Sequence, residues 1–400
     1  MTTLRVLSER IRTRSVSPLE IVRECLGRIE KRNAELNAFI TVLAEPALEQ
    51  ARTAEAEISA GHWRGPLHGI PVGIKDFYDT AGIRTTAAAE QFKERVPAAD
   101  AAAVAKLKRA GAIVIGKTNM HQLGMGTTGL ESWFGPVRNP RSLDHIAGGS
   151  SSGSAAAVAS DMCCATLDTD AIGSCRLPAA CCGVVGFKGT YGLIDPKGIL
   201  EGEKADETIV LLSHPAVTAR SVEDVALMLD VLAERKKQTA GYADEIGIER
   251  TLRVGVADNF KAAPEVTEAF EQAVEIIRAF GFPVSRASAP FRDPSGGIAN
   301  IQADRERIAE QAFKEIDVLL LPTTPTTVPT IAEVEGNPLA LSPELTAFAN
   351  YYGLPAISVP CGVDSGGLPL GLQVVGRPWD EGAVLYLAGR YQRGVAAAAG

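Results

Sequence analysis

Apolar and polar positions along the chain fall into helical and strand-like periods that succeed one another. Ser17-Pro18-Leu19-Glu20 offers an N-cap, a proline for the first helical position and an acid three residues after the cap. Ile21, Val22, Cys25, Leu26 and Ile29 follow at helical spacing, which predicts an amphipathic helix. A second helix is predicted from Asp100, with Val104 and Leu107 inward, to Gly111, after which Ala112-Ile113-Val114-Ile115 reads as a short buried strand. Ser221 caps a third helix carrying Val222, Val225, Leu229 and Leu232, and Pro264 to Phe280 makes a fourth between strand candidates at 253–256 and 283–285. Apolar runs at 317–321, 356–359 and 372–375 are strand-like, each bounded by Pro or Gly. The alternation predicts an α/β fold. No repeat with a period of roughly 20 to 50 residues appears, which excludes a solenoid. The polar stretch 232–252 reads as a surface excursion, and the terminal Val395 to Gly400 is expected to fray.

Composition narrows the classes of function. The chain has 400 residues, 46% apolar and 22% charged, an ordinary globular balance with enough length for a sizeable core. No run of apolar residues is long enough to span a bilayer, and the first ten residues become charged too early for a signal peptide, so a cytoplasmic location without membrane contact is expected. With 40 basic and 48 acidic residues the net charge is −8, which removes the footprint of a dedicated nucleic-acid binder. Small substrates or protein partners remain. The seven cysteines (25, 163, 164, 175, 181, 182 and 361) are read as buried reduced thiols. No metal is expected, because neither adjacent Cys pair has zinc-knuckle spacing and histidines 62, 68, 121, 145 and 214 are scattered.

Candidate chemistry concentrates between residues 70 and 200. Gly111 to Thr118 fits the spacing of a phosphate-binding loop, but Ala112-Ile113-Val114-Ile115 inside it should spend its N–H groups on a sheet. Gly124-Met125-Gly126-Thr127-Thr128-Gly129 fits a dinucleotide fingerprint, yet Leu130 to Pro136 cannot open a long helix. Gly148 to Ser154 is the densest Gly/Ser segment, followed by helix-forming alanines, and reads either as a polar loop at a helix N-terminus or as a flexible linker. Gly149-Ser150-Ser151-Ser152-Gly153 has nucleophile-elbow spacing with Ser151 at its centre, but only His214 lies downstream to serve it.

Without a histidine, a desolvated lysine is the physical alternative as base, since burial disfavours the ammonium form. Lys75 follows the apolar run Pro71-Val72-Gly73-Ile74 and is a candidate; the competing reading is a strand-end lysine reaching solvent. A second serine sits in Thr169-Asp170-Ala171-Ile172-Gly173-Ser174-Cys175-Arg176-Leu177-Pro178, where consecutive N–H groups around Gly173 could face an oxyanion.

These segments resemble the amidase signature family, marked by Gly-Gly-Ser-Ser and Gly-Ser-x-Arg-x-Pro with a lysine upstream. Here they read Gly148-Gly149-Ser150-Ser151, Gly173-Ser174-Cys175-Arg176-Leu177-Pro178 and Gly73-Ile74-Lys75-Asp76, and similar segments continue to Gly366–Pro378. The resemblance implies Ser174 as nucleophile, Ser150 as a bridging serine in a cis peptide, and Lys75 as base. The N–H groups of Ala171, Ile172, Gly173 and Ser174 would form the oxyanion hole. Ser151, Thr169, Asp170 and Arg176 would support the site, the last two as an ion pair bracing the loop; Gly124, Met125 and Gly126 would touch substrate.

The resemblance further implies one α/β domain over residues 1–400, a large mixed sheet with helices on both faces. Its catalytic core would span about 65–230, with 317–395 completing the sheet and 233–316 a variable, shortened substrate-side region. No cofactor is implied, and homodimers are frequent among such proteins. Two departures stand out: Ala171-Ile172 where many members have Thr-Gly, and Asp168 in place of a usual glycine. The expected activity is hydrolysis of a small aliphatic or aryl carboxamide through an acyl-enzyme on Ser174. The alternatives are a glutaminase-type subunit of an amidotransferase and a non-catalytic binding descendant.

Overall fold

The computed structural model describes residues 3–204, 207–234, 241–292 and 297–399. One eleven-stranded mixed sheet runs through the molecule. Its spatial order is Phe39–Val42, Ile113–Thr118, Pro71–Lys75, Ala165–Asp170, His214–Ala219, Val185–Lys188, Ala356–Val363, Pro369–Gly376, Val318–Pro322, Val254–Ala257 and Val284–Ala287. Pro71–Lys75 lies parallel to both of its neighbours, whereas the five strands from Ala165–Asp170 to Pro369–Gly376 are successively antiparallel. The central strands are buried at every position, so their side chains meet packed layers on both faces of the sheet.

The predicted helices form where their caps and apolar faces fall. Pro18–Leu36 begins with the full capping box, the Ser17 hydroxyl accepting from the N–H groups of Leu19 and Glu20 while the Glu20 carboxylate accepts from Ser17 N–H. Ala102–Arg109, Val222–Leu232 and Pro264–Arg278 match the other three, with starts and ends shifted by a residue or two. The strand expected at 112–115 extends through Ile113–Thr118, which rules out the phosphate-loop reading of that segment. Lys117, the residue that would reach a phosphate, is fully buried and donates to Tyr78 O and Thr85 Oγ1, both at 2.7 Å.

Some expectations change. The last helix runs from Glu381 to Ala399 and so includes the terminal alanines, continuing a segment anchored by buried Val384, Leu387 and Tyr391, while Gly400 lies outside the described residues. Residues 235–240 of the expected surface excursion lie outside the described residues, and 242–245 form a short helix with Tyr242 buried. The Gly/Ser segment is no linker, since Ser150 to Val158 are all buried and Ser152–Ala159 is helical. No helix among the described residues is long and apolar enough to cross a membrane.

Replacing Ser17 by Ala should lower stability by about 1 kcal/mol, because the first turn then loses its acceptor. The measurement is the urea midpoint at unchanged slope; a midpoint equal to wild type would show that the cap contributes nothing.

Candidate active site

Two parallel neighbours in the sheet end side by side. Pro71–Lys75 finishes on Lys75, and Ala165–Asp170 finishes on Thr169 and Asp170, with register pairs Gly73 to Thr166 and Ile74 to Leu167. Carboxyl ends of adjacent parallel strands open a crevice in which loops gather. Two loops meet there: Gly148–Ser151, which leads into the Ser152–Ala159 helix, and Ala171–Cys175, which leads into Arg176–Cys182.

Lys75 is 0% exposed, and its amine is enclosed by three hydroxyls: Ser150 Oγ at 2.8 Å, Ser151 Oγ at 2.8 Å and Thr169 Oγ1 at 2.9 Å. The sequence left open a solvent-reaching lysine; the side chain is interior. Three acceptors match the three protons of an ammonium. Burial nevertheless pushes the amine down to about 8, against the opposing pull of Asp168, Cys175 and Asp170.

The two adjacent serines differ in what they do with their protons. Ser151 Oγ donates to Thr169 O at 3.2 Å, so toward Lys75 it acts as acceptor, and it is fully buried. Its proton is thus engaged by a backbone carbonyl. Ser150 Oγ has Lys75 as its one hydrogen-bond partner among the described residues, which leaves its proton available to a neutral amine. The Gly149–Ser150 peptide is cis. Ser174, 4% exposed, joins the cluster through its carbonyl, which accepts from Ser151 N–H at 3.0 Å. No direct hydrogen bond links the Ser174 and Ser150 hydroxyls.

The loop carrying Ser174 is held by a buried ion pair. Arg176 grips Asp170 with Nη2 to Oδ1 at 2.9 Å and Nε to Oδ2 at 3.0 Å, both side chains being fully buried. Burial alone would raise the Asp170 carboxyl; the Arg176 charge, its hydrogen bonds and that of Asn350 outweigh this and hold it well below the usual carboxylate range. The remaining guanidinium protons go to Thr346 O, Gln373 Oε1 and Asn350 Oδ1. Asn350 returns two bonds from Nδ2, to Asp170 O at 2.7 Å and Oδ1 at 2.9 Å.

Of the four N–H groups expected to face an oxyanion, one is already engaged. Gly173 N–H donates to Asp170 Oδ1 at 2.7 Å, because the carboxylate sits beneath the loop it braces. The N–H groups of Ala171, Ile172 and Ser174 have no hydrogen-bond partner among the described residues. Gly173 has φ +129°, and a Cβ there would lie 2.4 Å from Thr346 Oγ1, so no other residue fits without strain. Ala171 and Ile172 keep negative φ, so their departure from Thr-Gly leaves the backbone path unstrained.

Gly124 lies beside the cluster, since a Cβ there would be 3.7 Å from Ser150 Oγ, and Met125 is 57% exposed at the outer side. Gly126 instead packs against the His121 ring. His214, the histidine that a serine–acid–histidine order would need, is buried, and its Nδ1 faces Leu212 O. Sequence reasoning did not single out Thr346, Asn350 and Gln373, which bond to Arg176 from 170 or more positions away; of the three only Gln373 lies in a segment that carries the resemblance. Asp168 is fully buried, with Oδ2 accepting from Thr166 and Thr218 hydroxyls at 2.6 and 2.7 Å while Oδ1 lacks a partner among the described residues. Burial raises its carboxyl, opposed first by the charge of Lys75. Among the described residues no group of three or more His, Cys, Asp or Glu could hold a metal ion.

The amidase family model matches residues 20–295 and 297–385. The chain belongs to the amidase family. It is 33% identical over 478 aligned positions to a glutamyl-tRNA(Gln) amidotransferase subunit from Geobacter metallireducens, covering 98% of this chain and 97% of that one. Identity to the corresponding subunit from Roseiflexus sp. is 34%, over 94% and 93% of the two chains. Alignments longer than this 400-residue chain mean that these relatives carry segments it lacks. Among solved structures, 6-aminohexanoate cyclic dimer hydrolase with bound substrate superposes with a TM-score of 0.86 at 26% identity, covering 98% and 97%. The peptide amidase of Stenotrophomonas maltophilia gives 0.82 at 26% identity, covering 98% and 96%.

Asp170→Asn should cost about 3–5 kcal/mol at neutral pH, because Arg176 is left as a buried charge without its counter-ion. A depressed carboxyl contributes its stability above the unfolded value of about 3.9 and loses it as pH falls through the lower folded value. Urea midpoints of wild type and variant should therefore differ at pH 7 and converge at acid pH. A constant difference would mean that the pair's charge is not what matters.

Proposed function

We propose that the chain hydrolyses the C–N bond of a small carboxamide to an acid plus an amine or ammonia, through an acyl-enzyme on Ser174. The observation that carries this reading is the fully buried Lys75 amine, 2.8 Å from a serine hydroxyl whose proton has no other acceptor among the described residues. Neutral Lys75 takes the Ser150 proton as Ser150 takes that of Ser174, and Ser174 Oγ attacks the carbonyl carbon. The hydroxyls of Ser150 and Ser174 must come into contact for this, a closure expected when substrate fills the site. The unengaged N–H groups of Ala171, Ile172 and Ser174 are the donors for the tetrahedral oxygen, each worth about 3 kcal/mol in comparable sites. The proton then returns through Ser150 to the leaving nitrogen, the C–N bond breaks, and water releases the acid by the same route. Thr169 and Ser151 hold the amine in place, and no cofactor enters.

A second reading, a glutaminase-type subunit of an amidotransferase, is favoured by the amidotransferase subunits among the relatives. Ammonia release from glutamine together with co-purification of a partner would distinguish it. A non-catalytic descendant is the third reading, and a fluorophosphonate probe that labels the wild type at Ser174 would eliminate it.

Ser174→Ala should abolish turnover, by at least about 10³-fold, with the urea midpoint nearly unchanged; retained activity would remove Ser174 as nucleophile. The acid limb of kcat/KM should follow deprotonation of Lys75 near its value of about 8, so that about a tenth of the enzyme is active at pH 7. Asp168→Asn removes a negative charge that favours the ammonium, so the limb should move to lower pH. A limb that stays in place, or moves upward, would contradict this role for Lys75.

A further inference from the structure

A cavity of about 740 Å³ has Ile172, two positions before the proposed nucleophile in the sequence, in its wall. The Ala347–Tyr351 helix supplies Phe348 and Tyr351 on one side, and Phe260 and Phe291 close another. Phe291 meets Phe348 edge to face with ring centroids 5.4 Å apart. Phe348 and Tyr351 are buried and Phe260, Phe291 and Ile172 half-buried, whereas the charged Lys261 and Glu344 in the lining are exposed. The inner wall is therefore largely aromatic, with one half-buried charge, Arg292, whose guanidinium lies 3.8 Å from the Tyr351 ring centroid and pairs with Asp304 at 3.5 Å.

This wall is fixed to the nucleophile loop. Thr346, the N-cap of the Ala347–Tyr351 helix, donates from Oγ1 to Ile172 O at 2.5 Å, and Asn350 of the same helix holds Asp170 from Nδ2. A group seated against Phe348 and Ile172 is thereby held in a set relation to Ser174. Ile172 stands where the family resemblance leads one to expect glycine, and its side chain adds apolar surface to the wall.

Resting on the amidase reading, we infer that this chamber receives a bulky apolar substituent of the amide, such as a phenyl ring or a chain of about six carbons. Glutamine is disfavoured, because its ammonium group loses hydration against aromatic rings beside the positive charge of Arg292.

The test is a kcat/KM series from acetamide through hexanamide and phenylacetamide, with acetanilide to carry the group on the nitrogen side and glutamine as the charged comparison. The same amides are titrated by ligand-observed NMR into Ser174→Ala, which binds without turning over. Expected is a rise of at least about tenfold in Ser174-dependent kcat/KM from acetamide to the best bulky amide, with glutamine below it. In Phe291→Trp, which fills the chamber, the ratio of bulky to small amide should fall by at least about fivefold as pocket space is lost. Turnover that is flat across the series, or highest with glutamine, overturns this inference and leaves the amidase reading standing. Binding of bulky amides to Ser174→Ala without turnover by the wild type overturns the amidase reading and leaves the chamber. Absence of both overturns both.

Discussion

The site depends on keeping a primary amine away from water. Lys75 lies at the end of a strand buried on both faces, and its amine is met by three hydroxyls rather than by a carboxylate. A carboxylate partner at hydrogen-bond distance would fix the ammonium form, whereas hydroxyls satisfy either form. The largest opposing influence is Asp168, one strand over, whose charge acts on the amine without a direct bond. Acidity at this position is therefore a balance between desolvation and a carboxylate placed slightly out of reach.

The other requirement is that the loop at Ala171–Cys175 be held in one shape. Asp170 does this from beneath, accepting from Gly173 and Cys175 N–H and from Arg176. Its own charge is offset by a guanidinium whose donors are shared among Thr346, Asn350 and Gln373. A buried ion pair contributes little net stability when compared with packed apolar residues, so its value here is geometric. The same helix that satisfies the pair also forms a wall of the aromatic chamber, which couples the position of the nucleophile to the shape of the space beside it.

Much of this was legible in the residues. Elements with amphipathic periods and capping signals, such as Pro18–Leu36 and Val222–Leu232, fall where they are predicted. Strands such as Ala165–Asp170 are harder, because Thr166, Asp168, Thr169 and Asp170 are polar residues that a burial pattern would place outside. They are inside because hydroxyls, a lysine and an arginine meet them there. In the site, Lys75, Ser150 and Ser174 stand in recognisable motifs, while Thr346, Asn350 and Gln373 do not. Thr346 and Asn350 are ordinary polar residues in an unremarked segment and Gln373 one polar position in a predicted strand, and only the folded chain shows what each touches.

The bonds from Asn350 and Gln373 back to the loop at 170–176 span 174 to 197 positions of sequence. Contacts of such separation carry a large closure cost and form late. During synthesis, the segment bearing Ser174 emerges well before the residues that lock it, and meanwhile its two buried charges lack their final hydrogen bonds. A polypeptide that ends before Thr346 thus carries Lys75, Ser150 and Ser174 but lacks the three later partners of Arg176.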